Sequence, residues 1–292
     1  MLSHGLPALA ASGSRVVRKD TGEPVLLRGV NLSGLEYARP IAAGFLEAAH
    51  ISRTTIGDIA GWGANIIRLP FNQHSALYGF DAHPAEQYLR SIDQVVSWAA
   101  QAGCYTLLDL HWLKTGIAPL PDHETAIAWH RLGLRYAREP AVLFDLYNEP
   151  HDAAVEVWRE WARFLTGVIR NVHTESLIFV SGVDWGYDLR GVPFDEAGIV
   201  YSTHAYPWKA APWSEAFEWL ASEAPLFAAE WGGEEEHLEW GRQAAARFDQ
   251  LGIGWTAWSW SDRPHLIRGG TPTAFGDLVR SALAPASHKI DP

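Results

Sequence analysis

A single cysteine, Cys104, among 292 residues excludes an internal disulfide and any metal site built from several thiolates. It sits in an apolar stretch that reads as a strand, so a small buried core residue is expected there. No run of about 18 apolar residues occurs, and nothing in the chain is predicted to span a bilayer. The opening MLSHGLPALAASGS has neither a cationic start nor a full apolar segment, and it does not qualify as a secretory signal. Basic residues are also scarce: 23 Lys and Arg against 34 Asp and Glu leave a formal net charge of -11. Without a basic stretch to neutralise phosphates, neither nucleic acid nor an anionic membrane is expected as a partner. An uncharged substrate would be indifferent to that field. No H-x-H or H-E-x-x-H spacing occurs, and Glu124 after His123 lacks a second histidine, so no metal site is read.

What is abundant is apolar and aromatic. Hydrophobic residues make up 48% and charged residues 20%, enough for one large core and unlike a disordered chain. Fifteen Trp outnumber the 11 Phe and the 9 Tyr. Indole offers a large flat apolar face with a polar edge, suited to cores and to stacking on the C–H faces of sugars.

Around the turn-forming Asp20-Thr21-Gly22-Glu23, the segment 15–27 predicts an N-terminal β-hairpin. Beyond it, short β-rich runs recur: VLLRGVN, NIIRLPF, CYTLLDLH, VLFDLYNE, SLIFVSG, IVYSTHAY, PLFAAEW and IGWTAWSW. Amphipathic stretches lie between them, at 85–102, 123–138, 153–173 and 234–251. Eight runs alternating with helices fit a closed α/β barrel, the (β/α)8 or TIM barrel, better than an open sheet. No repeat or linker divides the chain, so residues 1–292 are read as a single catalytic domain. The first βα unit, 32–64, is interrupted by Pro40 and Gly-rich patches.

Barrel enzymes gather reactive groups at the C-terminal ends of their strands. Those ends here carry Arg68, then Asp109 and His111, Asn148-Glu149-Pro150, His204 and Tyr206, Glu230, and Trp258. Polar residues should be rare in strands that are otherwise almost wholly apolar, yet they cluster at one end. Two are glutamates, Glu149 and Glu230, from runs on opposite sides of the mouth. Glycoside hydrolysis needs such a pair, one to protonate the departing oxygen and one to attack or to activate water. A separation of roughly 5–5.5 Å would mean direct attack and retention, and roughly 6.5–9.5 Å would mean inversion.

The segments NIIRLPF, DLHW, LFDLYNEPH, YSTHAYPW, AAEWGG and WTAWSWSD resemble, in order and spacing, those of glycoside hydrolase family 5 in clan A. The likeness runs from GVNLSGLEY to TAFGDLVRSAL, and EPHD resembles the bacterial endoglucanases. It implies Glu149 as acid/base and Glu230 as nucleophile, with Arg68 and Tyr206 hydrogen-bonded to the nucleophile. Asn148 would bond the sugar 2-hydroxyl, His204 would lie near the acid/base, and His111 would contact the sugar before the cleaved bond. Trp258 would floor that subsite, or Trp260 if a bulge slips the register. Trp112, Trp185, Trp208 and Trp231 follow strand-end motifs and could add subsites. The remaining histidines, His151 included, are read as structural, and Trp98, Trp158, Trp161, Trp219 and Trp240 as core.

The resemblance thus implies a retaining endo-β-1,4-glucanase acting on a polysaccharide or oligosaccharide, as a monomer, with no cofactor. It also implies secretion. An endo-β-1,4-mannanase or another β-glycan hydrolase of the family is the alternative within the enzyme class. A barrel that binds glycans without cutting them is the alternative outside it.

Overall fold

The computed structural model of the chain describes residues 5–40, 44–173 and 175–284. Residues 41–43 of the first βα unit and the C-terminal 285–292 lie outside the described residues. An antiparallel hairpin, β1 (Leu9–Ser12) and β2 (Arg15–Arg18), precedes the barrel. It lies one turn upstream of the expected position. The Asp20–Glu23 turn does form, closed by hydrogen bonds between Arg18 and Glu23 and from Gly22 to Arg18, but only the Val17–Pro24 bridge joins its arms. Pro24 itself has no N–H to continue a ladder.

Each of the eight runs supplies one barrel strand: β3 (Arg28–Asn31), β4 (Ile66–Asn72), β5 (Tyr105–Trp112), β6 (Val142–Asp145), β7 (Ile178–Ser181), β8 (Ile199–Ala205), β9 (Leu226–Trp231) and β10 (Gly254–Ala257). All neighbours are parallel, and β10 pairs with both β9 and β3 to close the barrel. Helices Ala85–Gln101, His123–Arg135, Val155–Arg170 and Leu238–Leu251 form where periodicity predicts them. Along Val155–Arg170 the buried positions Trp158, Ala162, Leu165 and Ile169 recur at helical spacing. The indoles of Trp129 and Trp158 donate to the carbonyls of Leu146 and Ser181, fastening helix to strand. Two units are abbreviated: after β7 comes only the turn Val183–Gly186, and after β8 only Trp213–Ala216 and a 3-10 turn. Trp219, expected in the core, lies on that 3-10 turn and is exposed.

Alternation along the strands builds the barrel interior in layers. At its N-terminal end Leu27, Ile66, Leu107, Leu143, Leu177, Phe179, Val200 and Phe227 form an apolar plug, which Leu9 of the hairpin caps. Two residues further along three of these strands, on the same face, stand Arg68, Asp109 and Asp145, all fully buried. In β9 the alternation breaks, since the ladder to β8 shifts register between Thr203 and His204. Ala229 and Glu230 therefore both face the interior, while Trp231 packs outward against the helices.

The tightest strand approach is at Gly29, where an added Cβ would lie 1.7 Å from the Ile66 carbonyl oxygen. Gly29→Ala is expected to cost about 3 kcal/mol or more in urea unfolding, because backbone on both sides must move. Gly57, inside the helix Arg53–Gly61 with nothing within 4 Å of an added Cβ, is the control. There the same change should stabilise by about 0.5–1 kcal/mol, and equal effects at the two positions would contradict this packing.

Candidate active site

Arg68 lies at the centre of the mouth, and each of its three guanidinium nitrogens meets an acceptor. Nε donates to Asp145 Oδ2 at 2.8 Å, Nη1 to Asn31 Oδ1 at 2.9 Å and to Glu230 Oε1 at 2.8 Å, and Nη2 to Asn148 Oδ1 at 2.9 Å. Nη2 also stands 3.1 Å from Asp109 Oδ1. A guanidinium cannot discharge in a protein, so burying it demands acceptors all round. The charge balance also constrains the acids. Burial pushes the Asp109 and Asp145 carboxyls well above the ordinary range, against the pull of Arg68.

Glu230, almost fully buried, is held from both oxygens: Arg68 grips Oε1, and the Tyr206 hydroxyl donates to Oε2 at 2.8 Å. Glu149 lies on the loop after β6, with its side chain 14% exposed and Oε1 2.9 Å from His204 Nδ1. That nitrogen is 3.6 Å from Glu230 Oε2. One ligand atom each of Glu149, His204 and Glu230 lie within 4.8 Å of one another. Burial raises the Glu149 carboxyl, opposed by His111, Lys209, Arg68 and His151. Burial also lowers His204 to about 3 and His111 to about 4, so both rings are neutral near pH 7. Glu149, His204 and Glu230 could in principle face a cation. However, Arg68 and Tyr206 already occupy Glu230, His204 engages Glu149, and three donors fall short of a closed structural site.

A cavity of about 600 Å³ opens over the two carboxylates, lined also by His111, Asn148, Trp185, Tyr206, Trp208, Lys209, Trp258 and Arg263. Three indoles in its wall are each backed by a parallel ring. Trp258 stacks on His111 (5.2 Å, 13°), Trp185 on His151 (3.6 Å, 8°) and Trp208 on Tyr206 (4.6 Å, 12°). All of Arg68, His111, Asn148, Glu149, His204, Tyr206, Glu230 and Trp258 thus converge on one place. Trp112 does not join them; it lines a neighbouring cavity of about 670 Å³, with its ring 5.9 Å from that of Tyr37. Two expectations are corrected. Trp231 is no subsite, since it is fully buried among Phe248, Trp255 and Phe275, turned outward by the β9 bulge. Trp260 does not replace Trp258 either; the chain has left β10 by then, and Trp260 packs on Trp62 at 4.7 Å.

The sequence reading assigned no role to Asn31, Asp109 or Asp145, which orient Arg68, nor to His151 and Lys209. For the two aspartates a signal existed: a charge inside an apolar strand implies a buried partner. His151 reaches the site through its own short loop, with Nδ1 donating to the Glu149 carbonyl at 2.7 Å. Lys209 reaches it by a loop path that no periodicity marks.

The chain has relatives among known proteins. The chain is 21% identical to cellulase CelDZ1 of a Thermoanaerobacterium species over 99% of its length and 77% of that protein's. It is 25% identical to endoglucanase E-5 of Thermobifida fusca, over 90% of this chain and 60% of that one. Among solved structures, β-glucanase SdGluc5_26A from Saccharophagus degradans in complex with cellotetraose superposes with a TM-score of 0.81 at 25% identity, covering 95% and 93% of the two chains. The profile of the cellulases, glycosyl hydrolase family 5, matches residues 19–264. The chain therefore belongs to glycosyl hydrolase family 5, the cellulase family, and is a glycoside hydrolase.

Proposed function

We propose that this chain is a retaining endo-β-1,4-glucanase, with Glu230 as nucleophile and Glu149 as acid/base. The observation that carries the reading is the close, unequal pair. One oxygen of each lies within 4.8 Å of the other's, short of the roughly 6.5–9.5 Å that inverting enzymes keep for water beside the sugar and in keeping with the short spacing of retaining enzymes. Glu230 is fixed by a permanent cation and a phenol, which suits attack on an anomeric carbon. Glu149 is pushed up by burial, which suits an acid that must hold its proton until the bond breaks.

Two displacements follow. Glu230 forms a bond to the anomeric carbon as the glycosidic C–O bond breaks, and the Glu149 proton goes to the departing oxygen. Glu149, now ionised, takes a proton from water; the resulting hydroxide attacks the same carbon and releases Glu230. Asn148, oriented by Arg68, is placed to bond the sugar 2-hydroxyl as positive charge develops. His111 and Trp258 form the floor for the sugar on the non-departing side. Support for glucan comes from the relatives, named cellulase and endoglucanase, and from the cellotetraose complex of the β-glucanase. The groups at the site all come from one closed barrel, in keeping with one catalytic domain, and the enzyme is proposed to act as a monomer. A polymeric substrate is in keeping with action outside the cell.

Glu230→Gln should abolish hydrolysis of every substrate, with far-UV circular dichroism unchanged. Glu149→Gln should slow polysaccharide hydrolysis by about 10²–10⁴-fold, yet still form the glycosyl-enzyme from an aryl cellobioside whose leaving group needs no proton. Near-normal turnover of polysaccharide by either variant refutes the assignment.

The pH profile carries a sign. Activity needs Glu149 protonated, so kcat/KM on cello-oligosaccharides should fall as pH rises through its elevated pKa, with the basic limb above the ordinary carboxylate range. That limb should vanish in Glu149→Gln assayed on the activated aryl substrate.

Product analysis on soluble cellulose, glucomannan and mannan decides the substrate. Rapid loss of viscosity on the cellulose with the β-anomer formed first is expected; an α-anomer overturns retention. Preference for mannan overturns the glucanase reading, and binding without new reducing ends overturns the enzyme.

A further inference from the structure

Just after β7, two consecutive non-glycine residues stand in the left-handed backbone region: Asp184 at φ 55°, ψ 56° and Trp185 at φ 59°, ψ 54°. A side chain at positive φ crowds its own backbone, and two in succession persist only where the surroundings hold them. Backbone bonds between Val183 and Asp188 close the turn, and four further contacts hold it. The Trp185 N–H donates to the Pro150 carbonyl at 3.1 Å, and the indole stacks on His151. Gly186 lies so close to His204 that an added Cβ would come within 2.7 Å of the ring. The fourth contact alone reaches the carbonyls of both strained residues: Lys209 Nζ donates to Asp184 O at 2.5 Å and to Trp185 O at 3.3 Å. The same ammonium stands 5.3 Å from the centroid of the Tyr187 ring.

This turn displays Trp185, 42% exposed, in the cavity wall on the Glu149 side. His151, beneath the indole, is bonded to the Glu149 carbonyl. Trp258 and His111 occupy the wall formed by β10 and β5, whereas Trp185 and Lys209 follow β7 and β8. With the sugar of the non-departing side over Trp258, the face beside the acid is left for the sugar that departs.

We infer that Lys209 is a positioning residue, whose ammonium clamps the Asp184–Trp185 turn so that the Trp185 ring meets the departing sugar. This deepens the glucanase reading and rests on it for the identity of the ligand. The clamp itself is a property of the chain alone. A flat ring beside the acid makes apolar contact with the C–H face of the leaving sugar, and a correctly placed leaving group lowers the barrier only if the ring is already in place.

Lys209→Met and Trp185→Ala test it. Hydrogen exchange over residues 183–188 should accelerate at least tenfold in Lys209→Met, with the barrel strands unchanged. On cellotetraose, kcat/KM should fall about tenfold in each variant. The fall should be at least fivefold smaller on an aryl cellobioside, whose leaving group makes no sugar contact. The double variant should be no worse than Trp185→Ala. Unchanged exchange at 183–188 overturns the clamp whatever the substrate. Equal losses on the two substrates, or additive losses in the double variant, reduce Lys209 to general packing and overturn the inference. Failure of the wild type to cut any glucan counts against the function proposed above, while the exchange measurement still decides the clamp.

Discussion

The buried guanidinium of Arg68 is the interaction on which the site and the barrel mouth both depend. Its partners come from β3 (Asn31), β5 (Asp109), β6 (Asp145), the loop after β6 (Asn148) and β9 (Glu230). A lone cation at such depth would carry a desolvation cost of several kcal/mol, repaid only when every donor meets an acceptor. Those acceptors come together in the closed barrel, so closing it correctly and fixing the Glu230 carboxylate are the same event. The three carboxylates need the cation equally. Two of them are already pushed upward by burial, and without Arg68 they could stay inside only by taking up protons.

From that centre the difference between the two glutamates follows. Glu230 borders the ionic layer and receives a cation and a phenol. Glu149 stands one step further out, where its neighbour is an imidazole that burial keeps neutral. His204 Nε2 is buried with no hydrogen-bond partner among the described residues. The ring's single proton is therefore better placed on Nδ1, donating to Glu149 Oε1. That leaves the other Glu149 oxygen to carry the acidic proton. A charged imidazolium there would favour ionised Glu149, so the depth of His204 suits the acid role proposed for that carboxyl.

The barrel was legible in the sequence because strands buried on both faces must read as apolar runs, and because the few polar residues that interrupt them stand at one end. Asp109 and Asp145 were legible in kind but not in role, since a charge inside TLLDLH or VLFDLY announces a partner without naming it. The tryptophans were legible only in part. Strict alternation places Phe227, Ala229 and Trp231 on one face and Glu230 on the other; a one-residue bulge reverses both assignments, and no residue type in PLFAAEW marks it. The hairpin slipped for a similar reason, as either of two turns could have closed it. The Asp184–Trp185 turn was invisible, because left-handed backbone at an Asp and a Trp contradicts local preference and is imposed by residues far along the chain.

The stacked pairs suggest why the aromatic content is spent as it is. Trp129, Trp158, Trp231 and Trp255 are wholly internal. The three indoles in the cavity are each supported by a ring hydrogen-bonded within the site: His151 to the Glu149 backbone carbonyl, Tyr206 to Glu230, and His111 at 2.6 Å to Asp109, which faces Arg68. A sugar pressed on any of these indoles presses on a ring that is itself fixed within the site. Under the proposed assignment, binding energy from sugars remote from the cleaved bond has its shortest route through Trp208 and Tyr206 to Glu230, where it can lower the barrier rather than only tighten the complex. A barrel that merely held glycans would need the indoles but not their backing, and the backing is what joins recognition to reaction here.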